Sequence, residues 1–265
     1  NISKLLKPGK NTISVMVFQY SDGTYNEDQD MWRLGGIHRS VYLMAVPQTH
    51  ICDYYYSTDL DNQYRDATLN LQTTLRNYSA VAVNNLLVKV TLYDPSARNV
   101  LRTITSAPFT LEANDQTNHR FRAKINDPLL WSAEKPLLYP VTFELVDAAG
   151  KTIEALSDRV GFREMEVKNQ VFYLNGVPIK LNGVNSHMQH PDLGHTMDRE
   201  TILKDFTLMK QFNINCVRTS HYPPVKEYLQ LADELGIYIV DECGDEAHAT
   251  EYISKDSLWT KSYVE

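Results

Sequence analysis

The sequence predicts a multi-domain chain, β at its start and α/β toward its end. Three observations lead there. Between Thr49 and Arg163, short alternating runs follow one another, punctuated by Asn, Asp, Pro, Ser and Gly. From Leu181 to His248, apolar runs alternate with segments of helical periodicity. The length, 265 residues, exceeds that of an ordinary single domain. The expected divisions fall at residues 1–47, 48–164 and 165–265.

Taken in order, the first part offers two strands, Thr12–Phe18 and Ser40–Val46. Ile13, Val15 and Val17 alternate with polar residues, the pattern of a half-buried antiparallel strand. The loop between them concentrates Asp22, Glu27, Asp28, Asp30, Trp32, Arg33 and Arg39, which also suits a solvated turn anchored by its Trp. The middle part predicts strands at Ala67–Leu75, Leu86–Leu92, Asn118–Ile125, Val141–Val146 and Thr152–Val160. Short strands with turn signals at this spacing argue for an immunoglobulin-like β-sandwich. It carries no catalytic constellation, and a structural role is expected of it.

The last part opens with Phe172–Pro178, a hairpin turning at Asn175-Gly176. Three apolar runs follow, at Ile179–Asn185, Ile214–Arg218 and Gly236–Val240. A helix is expected over Arg199–Phe212, capped by Asp198, with Ile202, Leu203, Phe206, Met209 and Phe212 as one stripe. A second starts near Pro223-Pro224, buries Tyr228, Leu229, Leu231, Ala232 and Leu235, and closes at Gly236. Strand–helix alternation implies parallel strands with right-handed crossovers. Such strands carry their active-site groups at the C-terminal ends. His187 and His190, then Thr219-Ser220-His221-Tyr222, then Asp241-Glu242 with Asp245, Glu246 and His248, would therefore converge on one face. That convergence is the residue-level argument for an enzyme.

Composition narrows the classes. A net charge of −7 supplies no basic footprint for nucleic acid. No apolar run approaches a membrane span. The three cysteines, Cys52, Cys216 and Cys243, show neither metal spacing nor a disulfide framework and are expected to fill core positions. Both ends read as the interior of a longer polypeptide.

Several stretches, in one order along the whole chain, resemble glycoside hydrolase family 2, and its β-galactosidase branch most closely. They are Asp28-Gln29-Asp30-Met31-Trp32-Arg33-Leu34-Gly35-Gly36-Ile37-His38-Arg39, Gly183-Val184-Asn185-Ser186-His187-Met188-Gln189-His190-Pro191, Val217-Arg218-Thr219-Ser220-His221-Tyr222-Pro223 and Val240-Asp241-Glu242. Leu130-Trp131-Ser132-Ala133-Glu134-Lys135-Pro136-Leu137-Leu138-Tyr139-Pro140 adds support. The resemblance implies the C-terminal part of a jelly-roll-like sugar-binding domain, then the sandwich, then the first βα units of a (β/α)8 TIM barrel. It implies a retaining exo-glycosidase acting on terminal non-reducing β-D-galactose, with β-glucuronidase as the alternative within the family. A non-catalytic carbohydrate-binding or interaction module is the alternative outside it. The complete protein would be a homo-oligomer, and its compartment, bacterial cytoplasm or periplasm, is left open.

The resemblance also implies roles. His187 and His221 would hydrogen-bond sugar hydroxyls and favour the distorted ring. Arg218 would position the catalytic carboxylates. Glu246 and His248 match a pair that ligates Mg2+. Asp30, or else Asp28, would reach the galactose 6-hydroxyl and a Na+ ion. The family's acid/base Glu follows Asn after the fourth barrel strand, and the nucleophile Glu comes later still. Neither is expected within these residues, so the 265-residue polypeptide alone is expected to be inactive. Cys243-Gly244-Asp245 departs from the family's Ala-Asn-Ile, and Ser186 stands where Arg is usual. Blander readings stay open: Arg218 pairing with Asp241 or Glu242, and loop histidines satisfied by backbone. His195 matches no family position and is expected to tolerate substitution.

Overall fold

A computed structural model of the chain describes residues 2–20, 36–244 and 251–264. The middle of the chain is a sandwich of two antiparallel sheets. Its strands are β1 (Thr49–Leu60), β2 (Ala67–Asn77), β3 (Val83–Tyr93), β4 (Val100–Thr105), β5 (Phe109–Leu111), β6 (Gln116–Ile125), β7 (Tyr139–Val146) and β8 (Thr152–Val160). One sheet runs β1-β2-β6 and the other β4-β3-β7-β8, with β5 paired to the start of β3. Alternate residues of β2, β3 and β7 point inward, so Leu69, Leu71, Leu75, Val88, Val90, Val141, Phe143 and Leu145 share one core. Each such side chain contributes about 1.5–3 kcal/mol on burial.

The sheets are laced together where β1 meets β8. Tyr56 Oη donates to the Arg159 carbonyl at 2.9 Å and Thr58 Oγ1 to that of Arg163 at 2.9 Å. Two carboxylates accept backbone N–H groups of β1: Glu154 takes Ile51 at 2.6 Å and Glu164 takes Leu60 at 3.0 Å. Those donors would otherwise be an open sheet edge. Tyr54 lies beside Asp158, and burial with that carboxylate pushes its phenol up to about 12.

The last part begins with a small sheet, β9 (Met165–Lys168), β10 (Val171–Leu174) and β11 (Val177–Pro178), ordered β11-β10-β9. Its turn holds Asn175 and Gly176 at φ 51° and 76°, the left-handed pair expected of Asn-Gly. Three parallel strands follow, β12 (Gly183–Ser186), β13 (Cys216–Thr219) and β14 (Tyr238–Val240), in that order. The crossovers are α1 (Arg199–Gln211) and α2 (Lys226–Leu235). Asp198 accepts the Thr201 N–H at 2.9 Å as N-cap, and Gly236 ends α2 at φ 74°. Ile202, Phe206, Val217, Tyr228, Leu231, Ala232 and Ile237 form the core between helices and strands. A short α3 (Thr260–Val264) closes the described chain.

Several expectations need correcting. Thr12–Phe18 and Ser40–Val46 belong to no sheet, and Val15 and Leu43 are 66% and 74% exposed. Alternation specifies a strand only when a neighbour takes up its hydrogen bonds, and among the described residues none lies beside them. The first parallel strand is Gly183–Ser186 rather than Ile179–Asn185. The apolar stripe of α1 is narrower than expected: Ile202 and Phe206 are buried, whereas Leu203 and Phe212 are exposed at its flanks. Leu229 of α2 is exposed likewise. Only Cys216 of the cysteines is buried; Cys52 and Cys243 lie at the surface, all as free thiols.

The sandwich and the α/β part meet at Trp131. The Trp131 N–H donates to the Phe162 carbonyl at 2.9 Å, while the indole Nε1–H donates to the Asp233 carbonyl in α2 at 2.9 Å. The Arg163 guanidinium lies over the ring at 4.5 Å, and Tyr238 of β14 meets it edge-on. This joint fixes the strand ends of the second unit against the first.

Candidate functional site

The C-terminal ends of β12, β13 and β14 open on one side because the strands are parallel and in register, Ser186 beside Thr219 and Arg218 beside Val240. Each run of backbone thus delivers its next few residues to the same place. At the end of β13, Thr219 ties the strand ends together. Its hydroxyl donates to Asp241 Oδ1 at 3.1 Å and accepts the Glu242 N–H at 3.1 Å. Glu242 is thereby turned inward and half-buried. Its Oε1 accepts from Arg218 Nε in an ion pair, and its Oε2 lies 3.2 Å from His221 Nδ1. Arg218 Nη2 also lies 3.2 Å from His221 Nδ1.

The loop after β12 closes on this cluster from the side. His187 meets His221 edge-on with ring centroids 5.2 Å apart, and meets Tyr222 at 5.9 Å. The Met188 N–H donates to Tyr222 Oη at 3.0 Å, so the tyrosine holds the loop that carries His187. Burial pushes the Tyr222 phenol up. Tyr222 Oη also lies 3.4 Å from His195 Nδ1, and His195 faces His38 at 5.9 Å. Arg39 donates to the carbonyls of Pro223 and Pro224, and Thr196 Oγ1 donates to the His38 carbonyl at 3.2 Å. The segment at residues 36–40 is therefore docked on the strand-end face, beside a cleft of 340 Å³ lined by His38, Arg39, Met197, Asp198, Arg199 and Glu227.

Of the residues singled out by sequence, the structure brings together His187, Arg218, His221, Asp241 and Glu242. His190 lies aside, its Nδ1 accepting the N–H groups of Asp192 and Leu193. Asp28, Asp30, Glu246 and His248 lie outside the described residues. Among the described residues, no group of three or more His, Cys, Asp or Glu side chains could hold a metal. Tyr222 stands on this face with His221, as the cluster after the second apolar run led one to expect. His195 and His38 join the site without having been expected there, and nothing local marks them.

The histidine seam has a pH dependence. Burial, with the neighbouring Arg39 charge, lowers the His38 pKa below 6.5. Burial, with His38 and His187 nearby, lowers that of His195 below 6.5. The docked state thus binds fewer protons than the undocked one. Docking is at full strength above the ordinary value and weakens as pH falls from there through the lowered values. Hydrogen-exchange protection across residues 36–40 and 194–196, taken relative to the intrinsic rate at each pH, is expected to fall between about pH 7 and pH 5. Protection factors unchanged over that range would overturn the assignment.

Three family models match successive parts of the chain. "Glycosyl hydrolases family 2, sugar binding domain" matches residues 1–47, "Glycosyl hydrolases family 2" residues 49–163, and "Glycosyl hydrolases family 2, TIM barrel domain" residues 165–263. A β-galactosidase of Priestia megaterium is 42% identical over 253 residues, covering 94% of this chain and 24% of its own length. One of Photobacterium profundum is 39% identical over 275 residues, covering 100% of this chain and 26% of its own. The chain thus spans about a quarter of the length of these relatives. Among solved structures, Bacteroides uniformis β-glucuronidase superposes with a TM-score of 0.79 at 27% identity, covering 86% of this chain and 28% of that one. A putative β-galactosidase from Bacteroides fragilis superposes at 0.67 with 25% identity, covering 75% of this chain and 30% of that one.

Proposed function

The chain belongs to glycosyl hydrolases family 2, and we propose from that premise that its complete protein is a retaining exo-β-galactosidase. The observation that carries this is the meeting of His187, Arg218, His221 and Glu242 at the ends of three parallel strands. Such a face offers hydrogen-bonding rings for sugar hydroxyls and a fixed cation for carboxylates. Hydrolysis with retention uses two carboxyl groups about 5 Å apart, one forming a glycosyl-enzyme and the other serving as acid then base. On this proposal both come from outside these 265 residues, so the isolated polypeptide is inactive.

The curated relatives' names favour galactose, while the glucuronidases among the solved structures keep the alternative of a 6-carboxylated sugar. The proposal extends to ions: Glu246 and His248 would hold Mg2+, a hard cation that needs further oxygen ligands, and Asp30 a Na+. Mg2+ would supply positive charge beside the reacting carboxylates.

One assay tests these points together. The complete protein is expected to cleave a nitrophenyl β-galactoside at least about tenfold faster than the matching β-glucuronide, releasing the β-anomer first. Chelation should lower the rate and added Mg2+ restore it. Preference for the glucuronide, first release of the α-anomer, indifference to chelation, or turnover by the isolated 265-residue chain would each overturn its part.

A further inference from the structure

We infer that Glu242 is a positioning residue that sets the tautomer of His221, so that Nδ1 carries the proton and Nε2 is the ring's acceptor. Three groups meet at one point: Arg218 Nη2 and Glu242 Oε2 both lie 3.2 Å from His221 Nδ1. A guanidinium only donates and a carboxylate only accepts, so Nδ1 serves one of them. Burial decides which. The Glu242 side chain is 24% exposed and that of Arg218 40%. A carboxylate oxygen deprived of its donor in the less exposed position costs more than a guanidinium N–H left to solvent. Arg218 is also already engaged with Oε1 through Nε. The Nδ1–H therefore goes to Oε2.

The backbone supports the same arrangement. Glu242 is held by its own N–H on Thr219 Oγ1, and Thr219 is buried at the end of β13, two residues before His221. The carboxylate and the ring it orients thus hang from neighbouring strand ends rather than from mobile loops. Outer partners that fix a histidine's tautomer and orientation have large effects on the chemistry the ring takes part in. With Nε2 unprotonated, His221 accepts a hydrogen bond from a sugar hydroxyl instead of donating one. A hydroxyl that donates is left richer in electrons at its oxygen, which suits a ring acquiring positive charge.

The kinetic consequence rests on the proposed glycosidase reading; the tautomer does not. The complete protein, labelled with 15N-histidine, is read by long-range proton–nitrogen NMR, with the His221 signals assigned by their loss in His221→Gln. The wild type is expected to show Nδ1 protonated and Nε2 bare at neutral pH. Glu242→Gln places an amide that can donate to Nδ1, so the proton should move to Nε2. In the same variant kcat should fall about 100-fold with little change in KM, the signature of a displaced or mis-protonated group. Glu242→Asp keeps the charge and should recover Nδ1 protonation and part of kcat, with unfolding temperatures near wild type in both variants. A wild-type ring protonated at Nε2, or a tautomer indifferent to Glu242→Gln, would overturn the inference. A wild type that cleaves neither galactoside nor glucuronide overturns the proposed function instead, and the NMR result still decides the tautomer.

Discussion

Replacing His221 with alanine in the complete protein is expected to lower kcat by roughly 30- to 1000-fold while changing KM far less. The range corresponds to about 2–4 kcal/mol, the value of one hydrogen bond to charge developing in a site shielded from water. Only contacts stronger in the transition state than in the ground state accelerate the step, so a loss confined to kcat identifies such a contact. His187→Ala should behave alike, since its ring stands edge-on to His221. The rival account treats His221 as packing between Glu242 and His187. It expects a lower melting temperature with per-molecule activity intact. Measuring kcat and Tm together separates them, and an unchanged kcat beside a lowered Tm would remove His221 from the chemistry.

What was legible in the residues depended on how local each signal was. Thr152–Val160 was read at its observed ends, and Ala67–Leu75 and Asn118–Ile125 to within two residues; in the latter two, alternate residues turn toward the core. Val100–Thr105 escaped because it is almost wholly exposed along its length, so no hydrophobic period marks it. Thr12–Phe18 failed in the opposite way, with a strand's pattern and no strand beside it. The site divides similarly. His187, Arg218 and His221 follow apolar runs, and parallel-strand topology alone sends them to one face. The residues allowed Arg218 to pair with Asp241 or Glu242, and the register of β14 on β13 decides for Glu242, two residues beyond the partner of Arg218. The seam of His38, His195 and Tyr222 joins parts of the chain far apart in sequence. Only the fold brings those rings together, which is why His195 read as an indifferent loop residue.

The fold makes a second large effect expected at the joint, far from the chemistry. Trp131→Ala should cost about 3–5 kcal/mol, the usual range for emptying a fully buried aromatic site. Trp131 is 1% exposed, and its removal takes away three different things. The Asp233 carbonyl, one of the last in α2 and without a helical partner, loses the indole donor 2.9 Å away. The Arg163 guanidinium loses the ring face beneath it, leaving its pair with Asp233 at 3.2 Å as its remaining tie across the joint. The void itself opens where packing is tight, since a Cβ on Gly161 would stand 2.9 Å from Trp131 Cβ. Trp131→Phe keeps an aromatic ring but no donor, and should cost less, about 1–3 kcal/mol for the carbonyl left bare. Because the sandwich core lies apart from this joint, the loss should fall on the α/β part. Urea unfolding of Trp131→Ala, followed by hydrogen exchange in β7 and in α2, is expected to show α2 opening at lower denaturant while β7 holds. If both elements open together at the wild-type midpoint, Trp131 does not join the two units energetically.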